Sequence, residues 1–418
     1  QPVLAILRQL INDCNIPQTN ISVGDPQNDI QNEYWDIWHT EFPDVNYICH
    51  KGGQGRVKAV AGTDTTVFYS DRGAVLRSGD WGDASSGIPV TGDKLYTVIE
   101  QADYIIYVAA LKVHERAGMT LLGKCDFGSH AREKALHLHM GLVNPDGFTP
   151  EGNKNSRFGY NQYRVLVDLL GHEKLGGNGI LFVVDGLWGG PGACFRPVKF
   201  KIAPFNNDWP SSIFMSQDPV ALESVCYDIL KAEFTIDKHA ETYPQMEGVD
   251  DHLHQAADSS NWPVDIRYDP ERDGVILGSL GVHEHWNNST DQQYSQNLGI
   301  GMGIELVKIN DITYVRDDYK NKPDMVILET NYPNPFNPST TISYHLPHSA
   351  RVDLSVYNIK GECVQTIVDA YQTIGTYSVR WNGGMKDAIA PSGVYFARLH
   401  TVGIKGEQIQ TQRMILLK

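Results

Sequence analysis

The sequence has no apolar run approaching the roughly 20 residues of a membrane-spanning helix, so no transmembrane helix is expected. Its six cysteines, Cys14, Cys49, Cys125, Cys194, Cys226 and Cys363, show no CxxC or CxxCH spacing. That removes haem of the c type, ferredoxin-like iron–sulfur clusters and zinc ribbons. Six cysteines in 418 residues are also too few for a disulfide scaffold, and any pairing is not legible from their spacing. Positive charge is scarce, with 35 Lys and Arg against 50 Asp and Glu and a net charge of −15. Gripping nucleic acid by its phosphates, or lying on an anionic membrane surface, requires the opposite sign. The glycine-rich GLWGGPG (186–192) lacks the GxGxxG and GxxxxGK[ST] orders, and neither GxSxG nor HExxH occurs.

The opening residues do not read as a secretory leader: Gln1 and Pro2 lead directly into VLAILRQLI, and Leu4, Ile6, Leu7, Leu10 and Ile11 fall at helical spacing. A start inside an amphipathic helix leads us to expect that upstream sequence is missing. The lack of a leader therefore does not argue for the cytoplasm.

What is present is a foldable composition, 41% hydrophobic and 20% charged, at a length that suggests roughly two to three domains. The character of the chain changes near residue 325. Before it, ADYIIYVAAL (102–111) and GILFVVDGLWGG (179–190) read as buried strands ending at polar or glycine-rich loops. DPVALESVCYDILKAEF (218–234) reads as a helix with Asp218 as N-cap and Pro219 at the first helical position. This alternation predicts a three-layer α/β domain over 1–324. After it come TTISYHL, RVDLSVYNI, CVQTIVD, GTYSVRWNG, GVYFARLHT and QTQRMILLK, short runs of period-two alternation separated by turn residues. They predict a small all-β immunoglobulin-like sandwich over 325–418. Charge divides at the same place, because the tail holds 8 basic and 6 acidic residues while the preceding part is strongly acidic.

Four tail segments, NYPNPFNPSTTISYHLP (331–347), VYNIKGECVQTI (356–367), GTYSVRWNG (375–383) and PSGVYFARL (391–399), resemble the C-terminal sorting domain of the type IX secretion system. They are also similar to the immunoglobulin-like module of flagellar hook-capping proteins. The resemblance implies handling by type IX secretion machinery and an extracellular or outer-membrane surface location in a Bacteroidota-like bacterium. The front part resembles the domain of unknown function 362 family through LINDCNIPQTNISVGDP (10–26), ADYIIYVAALKVHERAGMTLLGKCDFG (102–128), ILFVVDGLWGG (180–190) and SQDPVALESVCYDIL (216–230). SLGVHEHWNNSTDQQYSQNLG (279–299) resembles a subgroup of that family carrying the same export tail. The family's opening strand with its Lys-Pro-Asn element is absent. Its usual Lys-Asn pair reads Lys124-Cys125 here. The resemblance implies no particular activity.

Histidine is the chemically informative residue. Fifteen are present, and several are grouped: His114; His130, His137 and His139; His252 and His254; His283 and His285. In HLH (137–139) and HEH (283–285) an extended backbone would turn both imidazoles to one side, as a shared ion requires. His114 and Asp185 each stand at the end of an expected strand, where open α/β sheets place ligands. We therefore expect a transition metal ion (Zn, Fe, Mn or Ni) on His114, His137, His139 and Asp185. In KVHERAGMTLLGK (112–124), Lys112, Thr120 and Lys124 are expected to hold an anionic group such as a carboxylate or phosphate. Asp218 is more simply a helix cap. The Asn-x-Ser/Thr patterns at Asn20, Asn287 and Asn288 say little in a bacterial chain.

Two functions of different class fit these features. One is an exported protein with a His-rich metal site that supports catalysis. The other is a non-catalytic subunit that self-assembles into a homo-oligomer, surface layer or fibre through exposed strand edges. A binding protein for a polar extracellular ligand is a third.

Overall fold

A computed structural model describes residues 2–78, 87–145, 156–193, 195–239, 246–309, 326–329, 331–385, 388–404 and 406–417. The chain divides into two compact units, Gln1–Lys308 and Ile309–Lys418. The boundary expected at 324/325 lies outside the described residues.

The first unit is built around a four-stranded mixed sheet. Strand β1 (Ile105–His114) is the centre, flanked by β2 (Gly118–Thr120) and β3 (Gly179–Gly190), with β4 (Ser212–Ser216) at the far edge. The β1–β3 pair is parallel and the two outer pairings are antiparallel. Phe182, Val183 and Val184 are all buried in succession, as a strand covered on both faces requires. In β1 the alternation is plainer: Ala109, Leu111 and Val113 face the core, while Ala110, Lys112 and His114 face the other way.

Helix α1 (Val165–Gly171) precedes β3, and α2 (Pro219–Glu233) follows β4. Asp218 caps α2, its Oδ1 accepting the Ala221 N–H at 2.8 Å, with Pro219 in the first turn where its missing N–H costs nothing. Val220, Leu222, Val225, Cys226, Ile229 and Leu230 pack into the core with β1 and β3. Each such burial stabilises by about 1.5–3 kcal/mol. The short helix α3 (Asp251–Ala257) is fixed by the fully buried Arg164–Asp251 ion pair at 2.7 Å. Asp251 also accepts the backbone N–H groups of Asn161 and Gln162. These bonds bring the 159–164 segment against α3.

The strands expected from 102–111 and 179–190 appear as 105–114 and 179–190, and the expected helix 218–234 as 219–233. The 137–139 segment departs from its expectation. It lies in a 3₁₀ helix, Glu133–Gly141, rather than in an extended strand. Cys14, Cys49, Cys125, Cys226 and Cys363 are free thiols, and Cys194 lies outside the described residues.

The second unit consists of antiparallel sheets. One contains β5 (Ile327–Leu328), β6 (Thr340–Leu346) and β9 (Gly375–Trp381). The other contains β8 (Cys363–Gln372), β7 (Ala350–Asn358), β10 (Gly393–Gly403) and β11 (Gly406–Leu416), in that order. Inward residues of both sheets, among them Ile342, Val352, Leu354, Trp381, Ala397 and Met414, form one hydrophobic core. Among the described residues no helix is long and apolar enough to cross a membrane.

Candidate metal centre

Four side chains converge at the start of α3. Asp250 precedes the helix and His254 follows four residues later, so both project from one face. His283 and His285 come from an extended, unpaired segment crossing that face. One potential ligand atom from each of Asp250, His254, His283 and His285 lies within 4.8 Å of all the others. Asp250 Oδ2 is 3.2 Å from His285 Nε2 and 3.6 Å from His254 Nε2. Ligands about 2.1 Å from one tetrahedral ion stand about 3.4 Å apart, so these separations suit a shared cation.

The imidazoles are aimed by bonds on their other nitrogens. Ser224 Oγ donates to the Val220 carbonyl at 2.7 Å, so it accepts from His283 Nδ1 at 2.8 Å. The lone pair of His283 is thereby left on Nε2, which is buried and has no hydrogen-bond partner. His285 Nδ1 donates to Asp228 Oδ1 at 2.7 Å, leaving its Nε2 toward Asp250. A carboxylate behind a ligating imidazole fixes tautomer and ring orientation. Asp228 is itself fixed, its Oδ2 accepting from Trp286 N–H and Tyr294 O–H.

The HEH segment is held extended at both ends. Asp218 Oδ2 accepts the Val282 N–H at 2.9 Å. A Cβ at Gly281 would lie 2.0 Å from Asp218 Oδ1, so only glycine permits this approach. Glu284 points away from the two histidines and accepts from Ser295 N–H, Ser295 Oγ and Ile304 N–H. Tyr160 covers the other side, its hydroxyl donating to Asp250 and its ring meeting His254 edge-on at 5.3 Å.

The ionisations of the group are shifted by burial and by one another. Burial, reinforced by the neighbouring imidazoles His254 and His285, lowers His283 to about 3. Burial raises Asp250, but bonds from His254 and His285 outweigh it and hold the carboxyl well below its usual range. Bonds to Asp228 and Asp250 raise His285 to about 9. Burial and then Asp250 push the Tyr160 phenol to about 12. The Asp250 side chain is 1% exposed while His254 is 36% and His285 39%, so the group opens to solvent on the histidine side.

The four residues expected as ligands do not gather around one point. His137 is turned into a buried polar network, its Nε2 2.5 Å from Asp93 Oδ2 and 3.2 Å from Tyr69 Oη. His139 has different surroundings, with its Nδ1 donating to Leu136 O and its ring edge-on to Phe127. His114 approaches His139 to 6.2 Å between ring centroids. Asp185 lies elsewhere, lining a surface cleft with Lys112, Trp188 and Phe195, and its Oδ1 accepts the Leu187 N–H. The 3₁₀ helix is the physical cause, because residues two apart in it point about 240° around the axis from one another. Sequence reasoning grouped His254, His283 and His285 with other histidines but passed over Asp250, Ser224 and Asp228. The available signal was the Asp-x₃-His spacing of Asp250 and His254, which places both on one helical face.

Of the residues expected to hold an anion, Lys112 and Thr120 are brought side by side. Lys112 and Thr120 are directly paired across β1 and β2, and Lys124 follows on the short helix Leu122–Cys125.

Residues 75–228 match the family described as Domain of unknown function (DUF362), and residues 330–415 match the secretion system C-terminal sorting domain. The chain thus carries a tail for type IX export to the cell surface or extracellular space. No curated protein matches the chain. Among solved structures, dimeric latent PorU from Porphyromonas gingivalis is similar over 23% of this chain at 20% identity and a TM-score of 0.20. FLGD from P. aeruginosa is similar over 22% at 24% identity and a TM-score of 0.18. PorZ, a surface component of the type IX secretion system of P. gingivalis, is similar over 22% at 20% identity and a TM-score of 0.17. The chain spans 10%, 70% and 11% of these three proteins.

Proposed function

We propose that this is an exported surface metalloprotein whose N-terminal unit holds one divalent transition metal ion on Asp250, His254, His283 and His285. The buried, partnerless Nε2 of His283, with its Nδ1 already committed to Ser224, carries the reading. A buried acceptor without a partner is costly in an apo protein, and coordination would satisfy it. Three imidazoles and one carboxylate suit Zn, Fe, Mn or Ni. Such an ion supplies Lewis acidity and can lower the pKa of a bound water to about 7. Four protein ligands fill a tetrahedral shell, so an extracellular substrate reaches the ion only where the solvent-facing side admits a fifth ligand or lets one be displaced.

We also read the first unit as a three-layer α/β domain, supported by the helices packed against its mixed sheet. The second we read as an immunoglobulin-like sandwich, supported by two antiparallel sheets sharing one core. The test is elemental analysis of full chain purified without chelators, with and without His283→Ala. About one equivalent of metal in the wild type, lost in the variant, is expected. A metal-free wild type overturns the reading and leaves self-assembly as the better account.

A further inference from the structure

A second group of basic side chains lies apart from the metal centre. Strand β1 turns Lys112 and His114 to the face opposite the core, and Thr120 of β2 pairs directly with Lys112 on that face. Lys124 follows one short turn later. Its Nζ stands 3.6 Å above the Phe127 ring, and the edge-on ring of His139 approaches the same phenylalanine at 5.0 Å.

The donors here are oriented: Lys112 Nζ is held by the Ala193 carbonyl at 3.1 Å. His114 Nδ1 accepts the backbone N–H groups of Arg116 and Ala117 at 3.0 and 3.3 Å, which places the proton on Nε2. Glu115, 3.9 Å from that same Nδ1, therefore cannot receive a proton from it and instead accepts from the Ala193 N–H. Thr120 Oγ1 is buried with no hydrogen-bond partner. Among the described residues no acid pairs with Lys124. Burial, opposed by Cys125 and Asp25 and helped by Lys112 and Arg116, brings the Lys124 amine down to about 7. Burial and the charge of Lys124 hold His114 well below its ordinary value. A buried ammonium that no carboxylate contacts directly, beside an orphaned hydroxyl, is stabilised by an entering anion.

We propose that Thr120, Lys124 and His114 Nε2 form a binding site for a small oxyanion, the carboxylate or phosphate group of an extracellular ligand. Thr120 Oγ1 and Lys124 Nζ contact the oxyanion, and Lys112 adds charge from the neighbouring strand position. The site is independent of the metal reading, since it shares no residue with Asp250, His254, His283 or His285.

The test is calorimetric titration of the full chain with inorganic phosphate and, separately, with acetate. Lys124→Met keeps an unbranched stem over Phe127, and Thr120→Val keeps the shape of the buried side chain, so both variants should fold. Saturable binding of at least one anion is expected, weakened about tenfold or more in each variant, as when one charge-assisted hydrogen bond is lost. His283→Ala should bind the anion unchanged while losing metal, which separates this site from the metal centre. Binding of phosphate alone or acetate alone assigns the ligand class. No saturable binding of either anion by the wild type, or unchanged affinity in either variant, overturns the proposal.

Discussion

Of the three His-x-His motifs in the chain, at 137–139, 252–254 and 283–285, the first and the last meet different fates. In HLH the middle residue, Leu138, is fully buried, and its neighbours point away from each other within a 3₁₀ helix. In HEH the middle residue, Glu284, is drawn outward by Ser295 and Ile304, and its neighbours point inward together. In the first motif His137 Nε2 is taken by Asp93 and Tyr69, and its Nδ1 is buried without a partner. In the second, His283 and His285 are each held through Nδ1, and the Nε2 of His285 turns to Asp250. Ligand spacing in a sequence is therefore insufficient. Backbone conformation decides whether two imidazoles share an object, and the second nitrogen decides whether the first is available.

The sharpest way to break this comparison is to exchange the roles by mutation. His285→Ala should remove the bound metal nearly completely, while His137→Ala should leave the metal content of the folded fraction unchanged. Metal analysis of both variants decides it, and loss of metal in His137→Ala would erase the distinction.

His137→Ala should instead appear in stability. It removes one of three partners of the buried Asp93 carboxylate and leaves Arg132 and Tyr69, so a loss of about 1–3 kcal/mol is expected. Denaturant unfolding measures this, and a change below about 1 kcal/mol would show that the Tyr69–Asp93–His137 network is not structural.

Asp228→Asn should weaken metal binding by about 10- to 100-fold without abolishing it, the usual effect of removing a carboxylate behind a ligating histidine. Gly281→Ala should act in the same direction, because its Cβ displaces Asp218 and with it the HEH segment. Competition with a chromophoric chelator reads both.

A smaller effect concerns acid. Burial raises Asp93, but the bond and charge of His137 outweigh it and bring the carboxyl from 3.8 to about 2. A depressed carboxyl contributes stability that is full above its unfolded value and lost as pH falls through its folded value. Wild-type stability should therefore fall between about pH 4 and pH 2, and this component should be missing in His137→Ala. An unchanged acid slope in that variant would assign the effect to other carboxylates.

Much of the scaffold was legible in the sequence, for local reasons. The run at 182–184 is apolar and continuous because both its faces are covered. The Asp218-Pro219 pair announces a helix start through capping and missing-donor chemistry that needs no tertiary partner. The tail strands show in period-two alternation. The metal centre was less legible because its assembly is non-local. Nothing near HLH marks it as helical except the apolar middle residue, which demands burial on its own side. Nothing near HEH reveals that Ser224 and Asp228 wait on α2 to orient it. Asp250 and His254 were separated from HEH by a long irregular stretch, and only the folded chain brings them together.

One carboxylate links two of these features. Asp218 caps the first turn of α2 with Oδ1 and pins Val282 with Oδ2. Helix fraying and ligand-segment release are thus a single mechanical event. An ion that clamps His283 and His285 should slow amide exchange at Ala221, on a helix it never touches, and loosening that first turn should shorten the ion's residence time.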